Sequence, residues 1–235
     1  MTIKEEIALE TVRSVNEPLS VVFNEDCMQG MKRYSEKYFD LAVVDPPYGI
    51  GMDNSKKRTK PSRPNSYKHY PNFRYHQTDW DKSAPGKDYF KMLYKISANQ
   101  IIWGANYFCE FIPSGKGWLF WNKLNGLNND FSDGEFAYSS KGIQSKYFEC
   151  SPYNNLNGGK SRIHPTQKPV KLYEWVLTNY AKPGDKILDT HVGSGSSRIA
   201  AYKHGFDYVG FEIDKDYFEA QEKRFNEFKA QLTLF

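Results

Sequence analysis

Short apolar runs alternate with amphipathic stretches along most of this chain, and polar turns separate them. Apolar runs and period-two patterns predict strands over residues 20–25, 40–44, 99–103, 117–121, 135–138, 146–149, 186–189 and 208–212. Helical spacing of apolar residues predicts helices over residues 28–34, 87–97, 169–180, 196–204 and 215–232. Strands that alternate with helices are typical of the α/β class, in which a mostly parallel sheet carries helices on both faces.

The segment from residue 49 to residue 86 interrupts this alternation, because it combines Gly, Pro, Ser, Asn and basic residues without a sustained period. A loop of that length inside a compact domain is uncommon and is often functional. The length of 235 residues fits either one large domain or one domain with an inserted lobe. We therefore predict a single domain over residues 1–235 with an inserted region over 52–160, which contains a basic loop at 54–78.

The composition predicts a globular protein, with 26% charged and 39% apolar residues and no apolar run long enough to cross a membrane. The first ten residues lack the apolar segment of a secretion signal. Cys27, Cys109 and Cys150 are far apart and show no metal-ligand spacing. We therefore expect no metal site, and a reducing intracellular compartment.

Positive charge is concentrated in the basic loop, although the net charge of the chain is only +4. Residues 54–78 include seven basic residues and no acidic ones. The seven are Lys56, Lys57, Arg58, Lys60, Arg63, Lys68 and Arg74. Aromatic residues are interleaved among them, and this combination is typical of segments that contact nucleic-acid phosphates and bases.

The quartet Asp45-Pro46-Pro47-Tyr48 directly follows the apolar run 41–44. Neither proline can donate a backbone hydrogen bond, so the predicted strand must end there. The turn presents a carboxylate, the Pro46 carbonyl and an aromatic ring at the carboxyl end of a strand, where open α/β sheets bind ligands. Two acceptors beside a flat ring suit an amino group on a planar heterocycle.

A glycine-rich turn follows the strand predicted at 186–189 and leads into the next helix. Gly193 and Gly195 allow a ligand to approach the backbone, and the N–H groups at the helix start favour an anionic group. Glu212 ends the next strand, at a position that suits ribose hydroxyls. These features predict a ligand that contains a nucleoside. A dinucleotide-dependent dehydrogenase is the alternative, but its fingerprint has a third glycine where this chain has Arg198.

These motifs together resemble the amino-methylating DNA methyltransferases that use S-adenosylmethionine. The Asp-Pro-Pro-Tyr quartet points to the adenine-N6 branch, and its position before the glycine turn is similar to the permuted order of the β group. The hexapeptide His-Pro-Thr-Gln-Lys-Pro at 164–169 is very close to one that the β group carries. The segment 23–27 resembles the opening strand of the family.

The resemblance implies a Rossmann-like class I methyltransferase fold and a site-specific enzyme. This enzyme would transfer a methyl group from S-adenosylmethionine to N6 of a flipped-out adenine in double-stranded DNA. The resemblance also implies a bacterial or phage-encoded cytoplasmic protein, with a homodimer and a cognate restriction enzyme as candidate partners and no membrane partner. The inserted region 52–160 matches nothing in the family and is the expected place of target recognition.

Residue roles follow from the chemistry and the resemblance together. Asp45 and the Pro46 carbonyl hold the adenine amino group, Tyr48 stacks on the base, and Pro47 completes the catalytic quartet. The implied cofactor-binding residues are Asp26 and Cys27 for the adenine, Glu212 for the ribose, Asp189 for the amino group, Thr166 and Lys168 for the carboxylate, and Asp45, His191, Gly193, Gly195 and Ser196 around the methionine portion.

One departure and three alternatives accompany this interpretation. The family usually has Asp-Pro-Phe before its glycines, whereas this chain has Asp189-Thr190-His191. His191 either replaces the aromatic ring or adds a polar contact. The alternatives are an RNA adenine methyltransferase, a catalytically inactive nucleic-acid-binding homologue, and a cytosine-N4 enzyme. Asp45 disfavours the last, because that branch tends to carry serine there.

Overall fold

The computed structural model describes residues 17–51, 81–114, 116–124, 132–152 and 162–232, which form one eight-stranded sheet flanked by helices. The strands are β1 (Ser20–Phe23), β2 (Phe39–Val44), β3 (Ser97–Trp103), β4 (Gly117–Asn122), β5 (Gly134–Ser139), β6 (Lys146–Glu149), β7 (Lys186–Asp189) and β8 (Asp207–Phe211). The helices are α1 (Cys27–Met31), α2 (Lys87–Ile96), α3 (Val170–Tyr180), α4 (Ser196–Lys203) and α5 (Lys215–Leu232). In this described part of the chain, no helix is both long and apolar enough to cross a bilayer.

The strands lie in the order β1-β8-β7-β2-β3-β5-β4-β6. The first five are parallel to their neighbours, β5 is antiparallel to both β3 and β4, and β6 pairs with β4 in parallel. The predicted α/β sheet is therefore confirmed. Every predicted strand and helix is present, and the observed ends differ from the predicted ones by a few residues at most.

Much of the predicted inserted region belongs to the central sheet. Residues 87–149 contain α2 and the strands β3 to β6, which extend the sheet beyond β2. Antiparallel strands can follow one another without intervening helices, so the short strands β4 and β5 need none between them. The basic loop at 54–78 lies outside the described residues, as do 125–131 and 153–161. A target-recognition role for the inserted region 52–160 stays a prediction.

Strand β2 divides the core between the two faces of the sheet. Ala42 and Val44 belong to a cluster that includes apolar residues of α1 and α2. Leu41 and Val43 belong to a second cluster, which includes residues of α3 and α4 on the other face. All four side chains are at most 1% exposed. The part of a parallel strand that is buried on both faces has to be apolar, which explains the continuous apolar run 41–44 in the sequence.

The direction of winding reverses between β2 and β7, which are neighbours in the sheet. From β2 the chain passes through α2 to β3 on one side, and from β7 it passes through α4 to β8 on the other. Connections that leave in opposite directions open a crevice at the carboxyl ends of the two strands. Asp45 follows β2 at this edge, and Asp189 ends β7 there.

The glycine turn packs closely on β8, and Gly210 makes this possible. A Cβ atom at Gly210 would lie 2.4 Å from Cγ2 of Val192 and 3.0 Å from the Tyr208 ring. We expect Gly210→Ala to lower the free energy of unfolding by about 1–3 kcal/mol, as overpacking of a core does. Urea denaturation measures this loss. Gly86→Ala is the matched control, since a Cβ there meets nothing within 4 Å, and equal losses in both variants would contradict the packing argument.

Candidate active site

Two cavities open at the carboxyl edge of the sheet and meet at the Asp45 turn. The first has a volume of about 680 Å³ and lies over the ends of β1, β7 and β8. The second has a volume of about 580 Å³ and lies beside β3, β4 and β5. Asp45, Pro47, Thr166 and Lys168 line both cavities. Ligands held in the two cavities would therefore face each other across these four residues.

The Asp-Pro-Pro-Tyr turn holds its carboxylate and its ring in a fixed relation. The Tyr48 hydroxyl donates to Asp45 Oδ1 at 2.6 Å. The Tyr48 ring stacks on Tyr107, with centroids 4.8 Å apart and planes 14° apart. Gly104 lies so close that a Cβ atom there would meet Tyr48 Cε1 at 2.1 Å. All four residues of the predicted catalytic quartet line the second cavity.

Lys168 connects this turn to a second carboxylate. Its ammonium donates to Asp45 Oδ2 at 2.6 Å and to Glu135 Oε2 at 2.8 Å. Lys123 binds the other oxygen of Glu135 at 2.6 Å. The sequence predicted Lys168 as a ligand for a cofactor carboxylate. The structure holds its ammonium between two carboxylates of the chain itself, with only 4% of the side chain exposed.

Burial and pairing set the ionisation of this network. Burial disfavours the Lys168 ammonium, but the two carboxylates outweigh this effect and raise the pKa of Lys168. Burial raises the pKa of Asp45, while the ammonium opposes that shift. Burial also disfavours ionised Glu135, but Lys168 and Lys123 outweigh it and lower the pKa of Glu135 to about 2. Lys168 and Glu135 therefore both carry charge at neutral pH.

Glu212 presents a carboxylate to the first cavity beside the glycine turn. Its Oε2 atom accepts from the Gly193 N–H at 2.8 Å, and its Oε1 atom accepts from the Asp214 N–H at 2.9 Å. Burial raises the pKa of Glu212 to about 7. Each oxygen keeps a further lone pair, so a pair of neighbouring hydroxyls suits this carboxylate, as the sequence predicted.

The start of α1 forms another part of the first cavity wall. Asp26 is the N-cap of α1 and accepts from the Met28 and Gln29 N–H groups at 2.8 and 3.1 Å. Cys27 follows, and burial raises the pKa of its thiol to about 12, so the thiol is neutral. The Phe211 ring also lines this cavity. A planar heterocycle with an amino group suits this combination of one carboxylate and weakly polar surface.

His191 lies on the wall of the first cavity, with its ring centroid 5.6 Å from that of Tyr89. The Thr190 hydroxyl oxygen lies 2.9 Å from His191 Nδ1 and 2.7 Å from the Tyr89 hydroxyl. The histidine ring thus packs near Tyr89 and contacts the Thr190 hydroxyl, and its direct contact with a cofactor stays a prediction. Burial lowers the pKa of His191 to about 4. His164, which contacts Thr166, has its pKa lowered to about 3 by burial, so both rings are neutral.

Three of the predicted cofactor-binding residues lie behind the cavity wall. The Asp189 carboxylate is 1% exposed and accepts from the Ser197 hydroxyl at 2.6 Å and from the His191 N–H at 3.0 Å. Ser196 is buried at the start of α4, and Gly195 packs against α5. In the described structure these residues shape the glycine turn, and their direct contact with a cofactor stays a prediction.

Arg198 occupies the position at which a dinucleotide fingerprint has its third glycine. Its guanidinium donates to the Ser20 carbonyl and to Gln221 Oε1, each at 3.0 Å. It also lies 3.9 Å from the centroid of the Phe225 ring. Arg198 therefore ties β1 and α5 to α4, which is a structural role. This arrangement counts against the dinucleotide alternative.

The seven basic residues of the loop lie outside the described residues, but the flanks of that segment are at the site. The Gly49 N–H donates to Asp81 Oδ1 at 2.8 Å, and the Gly51 N–H donates to the Asp81 carbonyl at 3.3 Å. Ile50 and Asp81 line the second cavity. The chain therefore leaves and re-enters the described structure at the rim of this cavity.

Sequence reasoning missed Glu135, Lys123 and Tyr107, which complete the second cavity. No motif marks them, because Tyr107 and Lys123 lie between predicted elements and Glu135 begins the short apolar pattern 135–138. The available signal was a charged residue at the start of the apolar pattern 135–138, because charges beside a buried strand usually have a partner.

Comparison with known proteins relates this arrangement to one enzyme family. A family model described as DNA methylase matches residues 102–223, about half of the chain. The chain is 26% identical to the Type II methyltransferase M.HinfI of Haemophilus influenzae, over 92% of this chain and 71% of that protein.

Two solved structures share the fold. The M1.HpyAVI–SAM complex is 19% identical, with a TM-score of 0.57 over 86% of this chain and 98% of that one. The PvuII DNA methyltransferase, described as cytosine-N4-specific, is 14% identical, with a TM-score of 0.56 over 91% of this chain and 90% of that one. These likenesses confirm the predicted Rossmann-like methyltransferase fold.

The raised pKa of Glu212 makes stability depend on pH. A folded-state pKa of about 7, above the ordinary 4.5, means that the folded protein retains a proton which the unfolded chain releases. Stability from this group is therefore complete below about 4.5 and is lost as the pH rises to about 7. We expect the free energy of unfolding of the ligand-free protein to fall, relative to Glu212→Gln, by on the order of 2 kcal/mol over this window.

Urea unfolding of both proteins across the window measures this difference. Glu110→Gln, at an exposed position, controls for the loss of one negative charge. A difference between wild type and Glu212→Gln that stays constant with pH would contradict the assignment.

Proposed function

This chain belongs to the DNA methylase family, and from that premise we propose that it transfers a methyl group from S-adenosylmethionine to N6 of adenine in double-stranded DNA. The proposal rests chiefly on one observation. The Asp45 carboxylate stands where the first cavity meets the second, and Pro46 lines the second cavity together with aromatic residues.

The first cavity fits the cofactor. Glu212 would hold the ribose hydroxyls, and Asp26 with Cys27 would hold the adenine. Thr166 and the backbone at Gly193 would contact the methionine portion, with Asp189 orienting the glycine turn from behind. When bound, S-adenosylmethionine supplies a methyl group on a sulfonium, so the chain needs no nucleophilic side chain of its own.

The second cavity is proposed to hold the target base. The lone pair of an exocyclic amino group is delocalised into the ring, which makes that nitrogen a poor nucleophile. Hydrogen bonds from the amino hydrogens to Asp45 and to the Pro46 carbonyl, out of the ring plane, would free the lone pair. Tyr48 and Tyr107 supply aromatic surface for the base, and stacking on such a ring contributes about 1–3 kcal/mol.

A base in a duplex reaches this cavity only if it is flipped out, which costs a few kcal/mol. Contacts between basic side chains and phosphates offset this cost. The seven predicted phosphate-binding residues belong to the segment whose flanks, Gly51 and Asp81, lie at the cavity rim. This supports the basic loop as the proposed DNA contact.

The choice of acceptor rests on Asp45. Cytosine-N4 enzymes share the fold, as the PvuII enzyme illustrates, so the fold alone does not select the base. We propose adenine because an Asp-Pro-Pro-Tyr quartet is similar to that of the N6 branch, and DNA because the family is that of DNA methylases.

The assembly and the cellular role remain proposals. We propose a cytoplasmic place in a bacterial cell, a homodimer and a cognate restriction endonuclease, as the family resemblance implies. Light scattering of the purified protein tests the dimer, and an endonuclease gene next to its own gene would support the restriction partner.

Loss of the Asp45 carboxylate is expected to abolish transfer. With radiolabelled S-adenosylmethionine and unmethylated genomic DNA, we expect Asp45→Ala to reduce the methylation rate at least about a hundredfold, since a preorganised polar contact to the reacting group is removed. Asp216→Ala, at an exposed carboxyl at the start of α5, should keep the wild-type rate.

Nucleoside analysis of the product identifies the acceptor. N6-methyladenine in DNA supports the proposal, whereas N4-methylcytosine, or label found only in RNA, overturns it. Absence of both transfer and cofactor binding in calorimetry would favour the inactive homologue.

The basic loop is expected to control the salt dependence of DNA binding. Replacing Lys56, Lys57 and Arg58 by Gln should lower the slope of log affinity against log salt by about 0.9 per lost phosphate contact. Fluorescence anisotropy with a labelled duplex measures the slope. The control replaces exposed Lys32, Lys95 and Lys223, which changes the net charge equally. Equal slopes in the two triple variants would count against the loop as the DNA contact.

A further inference from the structure

Four charged side chains of alternating sign form a continuous chain across the second cavity. Asp45 Oδ2 lies 2.6 Å from Lys168 Nζ, which lies 2.8 Å from Glu135 Oε2, and Lys123 Nζ lies 2.6 Å from Glu135 Oε1. The residues come from the β2 turn, the segment before α3, β5 and the end of β4. This series of ion pairs therefore links four separate parts of the chain to the Asp45 carboxylate.

Lys168 has no freedom to act independently of both carboxylates. Its side chain is 4% exposed, and its ammonium also lies 3.3 Å from the Tyr48 hydroxyl. Three neighbouring oxygens match the three donors of an ammonium group. Since a buried ammonium needs such partners, the position of Glu135 determines where Lys168 sits, and Lys168 in turn contacts Asp45.

The contact with Lys168 affects how Asp45 receives an amino group. Tyr48 already donates to Oδ1, and Lys168 donates to Oδ2, so each oxygen has one further lone pair to offer. A cation that is held by Asp45 alone would withdraw more charge from this carboxylate. Glu135 shares the cation and leaves Asp45 the stronger acceptor.

We propose that Glu135 is a positioning residue for methyl transfer, which acts through Lys168 to set the orientation and acceptor strength of the Asp45 carboxylate. The inference rests on the proposed function, because it concerns the same reaction site. It differs from the role of Lys168 that resemblance implied, which was to bind the carboxylate of the cofactor.

The ionisable groups that face Asp45 are few among the described residues. Tyr48 of the same turn and Tyr173 of α3 have pKa values raised far above the ordinary range by burial, so they stay neutral. Asp189 of β7 has a pKa of about 6, raised by burial, and is the same in every variant below. Lys168 and Glu135 are therefore the charged groups whose replacement is expected to shift the pKa of Asp45.

The two partners are expected to shift the ionisation of Asp45 in opposite directions. Transfer requires ionised Asp45, so the rate falls on the acid side. Lys168→Met removes a neighbouring cation, which raises the pKa of Asp45 and moves the acid limb of the rate profile up by about one pH unit or more. Glu135→Gln removes a neighbouring anion while keeping the shape of the side chain. The pKa of Asp45 is therefore lowered, and the acid limb of the rate profile moves to lower pH.

The experiment measures single-turnover methyl transfer against pH, with cofactor and DNA at saturating concentrations. Glu135→Gln should also lower the plateau rate roughly ten- to a hundredfold, since misplacement of a reacting group has effects of this size. Its affinity for S-adenosylmethionine in calorimetry should equal that of the wild type. Glu149→Gln, at an exposed position of the edge strand β6, is the matched control and should leave both the acid limb and the plateau rate unchanged.

Limbs displaced in opposite directions, with cofactor affinity retained, support the proposal. Acid limbs that do not move in either variant, or that move in the same direction in both, would overturn the proposal and leave Glu135 a structural residue. Lys168→Met that loses affinity for S-adenosylmethionine without a displaced acid limb would also overturn it. That result would support Lys168 as a ligand of the cofactor carboxylate instead. A wild-type protein that fails to methylate DNA refutes the proposed function instead, so the two failures are distinct. Circular dichroism of each variant verifies that it is folded.

Discussion

The site depends on the termination of β2 at Asp45. The two prolines that follow cannot join the hydrogen bonds of the sheet, so the buried apolar strand has to stop where the winding of the sheet reverses. At that point the crevice between β2 and β7 is open, and a side chain placed there can contact a ligand in either cavity. The meeting of two cavities at one four-residue turn follows from this single backbone constraint.

Buried charge is the second constraint, and it explains where the polar residues of the molecule are found. Glu212, Asp189 and the group of Asp45, Lys168 and Glu135 are removed from water to differing degrees, and each has hydrogen-bond donors or counter-charges supplied by the fold. Burying a charge costs several kcal/mol unless it is paired. The fold supplies partners for each of these groups, as it does for Arg198, which joins β1 with α5.

The sequence predicted the strands and α-helices of the described structure and the order of motifs, because those signals are local, but it did not predict the short 3₁₀ turns at Ala105–Tyr107 and Cys109–Phe111. Apolar periodicity, the Pro-Pro stop and the glycine turn each act over a few neighbouring residues. The partners of Lys168 were not predictable in the same way. Asp45 and Glu135 are far from it in the chain, and they meet it only because β5 pairs antiparallel with β3 and thereby joins the parallel part of the sheet. Pairing between distant segments leaves no local pattern in a single sequence.

Asp189, for which the family resemblance implies a contact with the amino group of the cofactor, also has partners within the chain that no local pattern indicates. Its carboxylate turns inward to Ser197 and the His191 backbone, and the glycine turn is held in shape as a result. The first cavity is therefore formed by two layers of residues. One layer lines the cavity, and the other lies behind it and fixes the shape of the glycine turn.

The contacts of Tyr48 hold the Asp-Pro-Pro-Tyr turn in a fixed geometry. Its hydroxyl is held by Asp45, its ring stacks on Tyr107, and the absence of a side chain at Gly104 allows the ring to approach the backbone. The ring plane and the carboxylate are thus fixed relative to each other in the protein alone. Under the proposed function, a flipped base would lose its own freedom but would not have to order the protein, and this would reduce the entropic cost of the reactive geometry. The aromatic residue of the quartet would then act as a rigid reference for Asp45 as well as a surface for stacking.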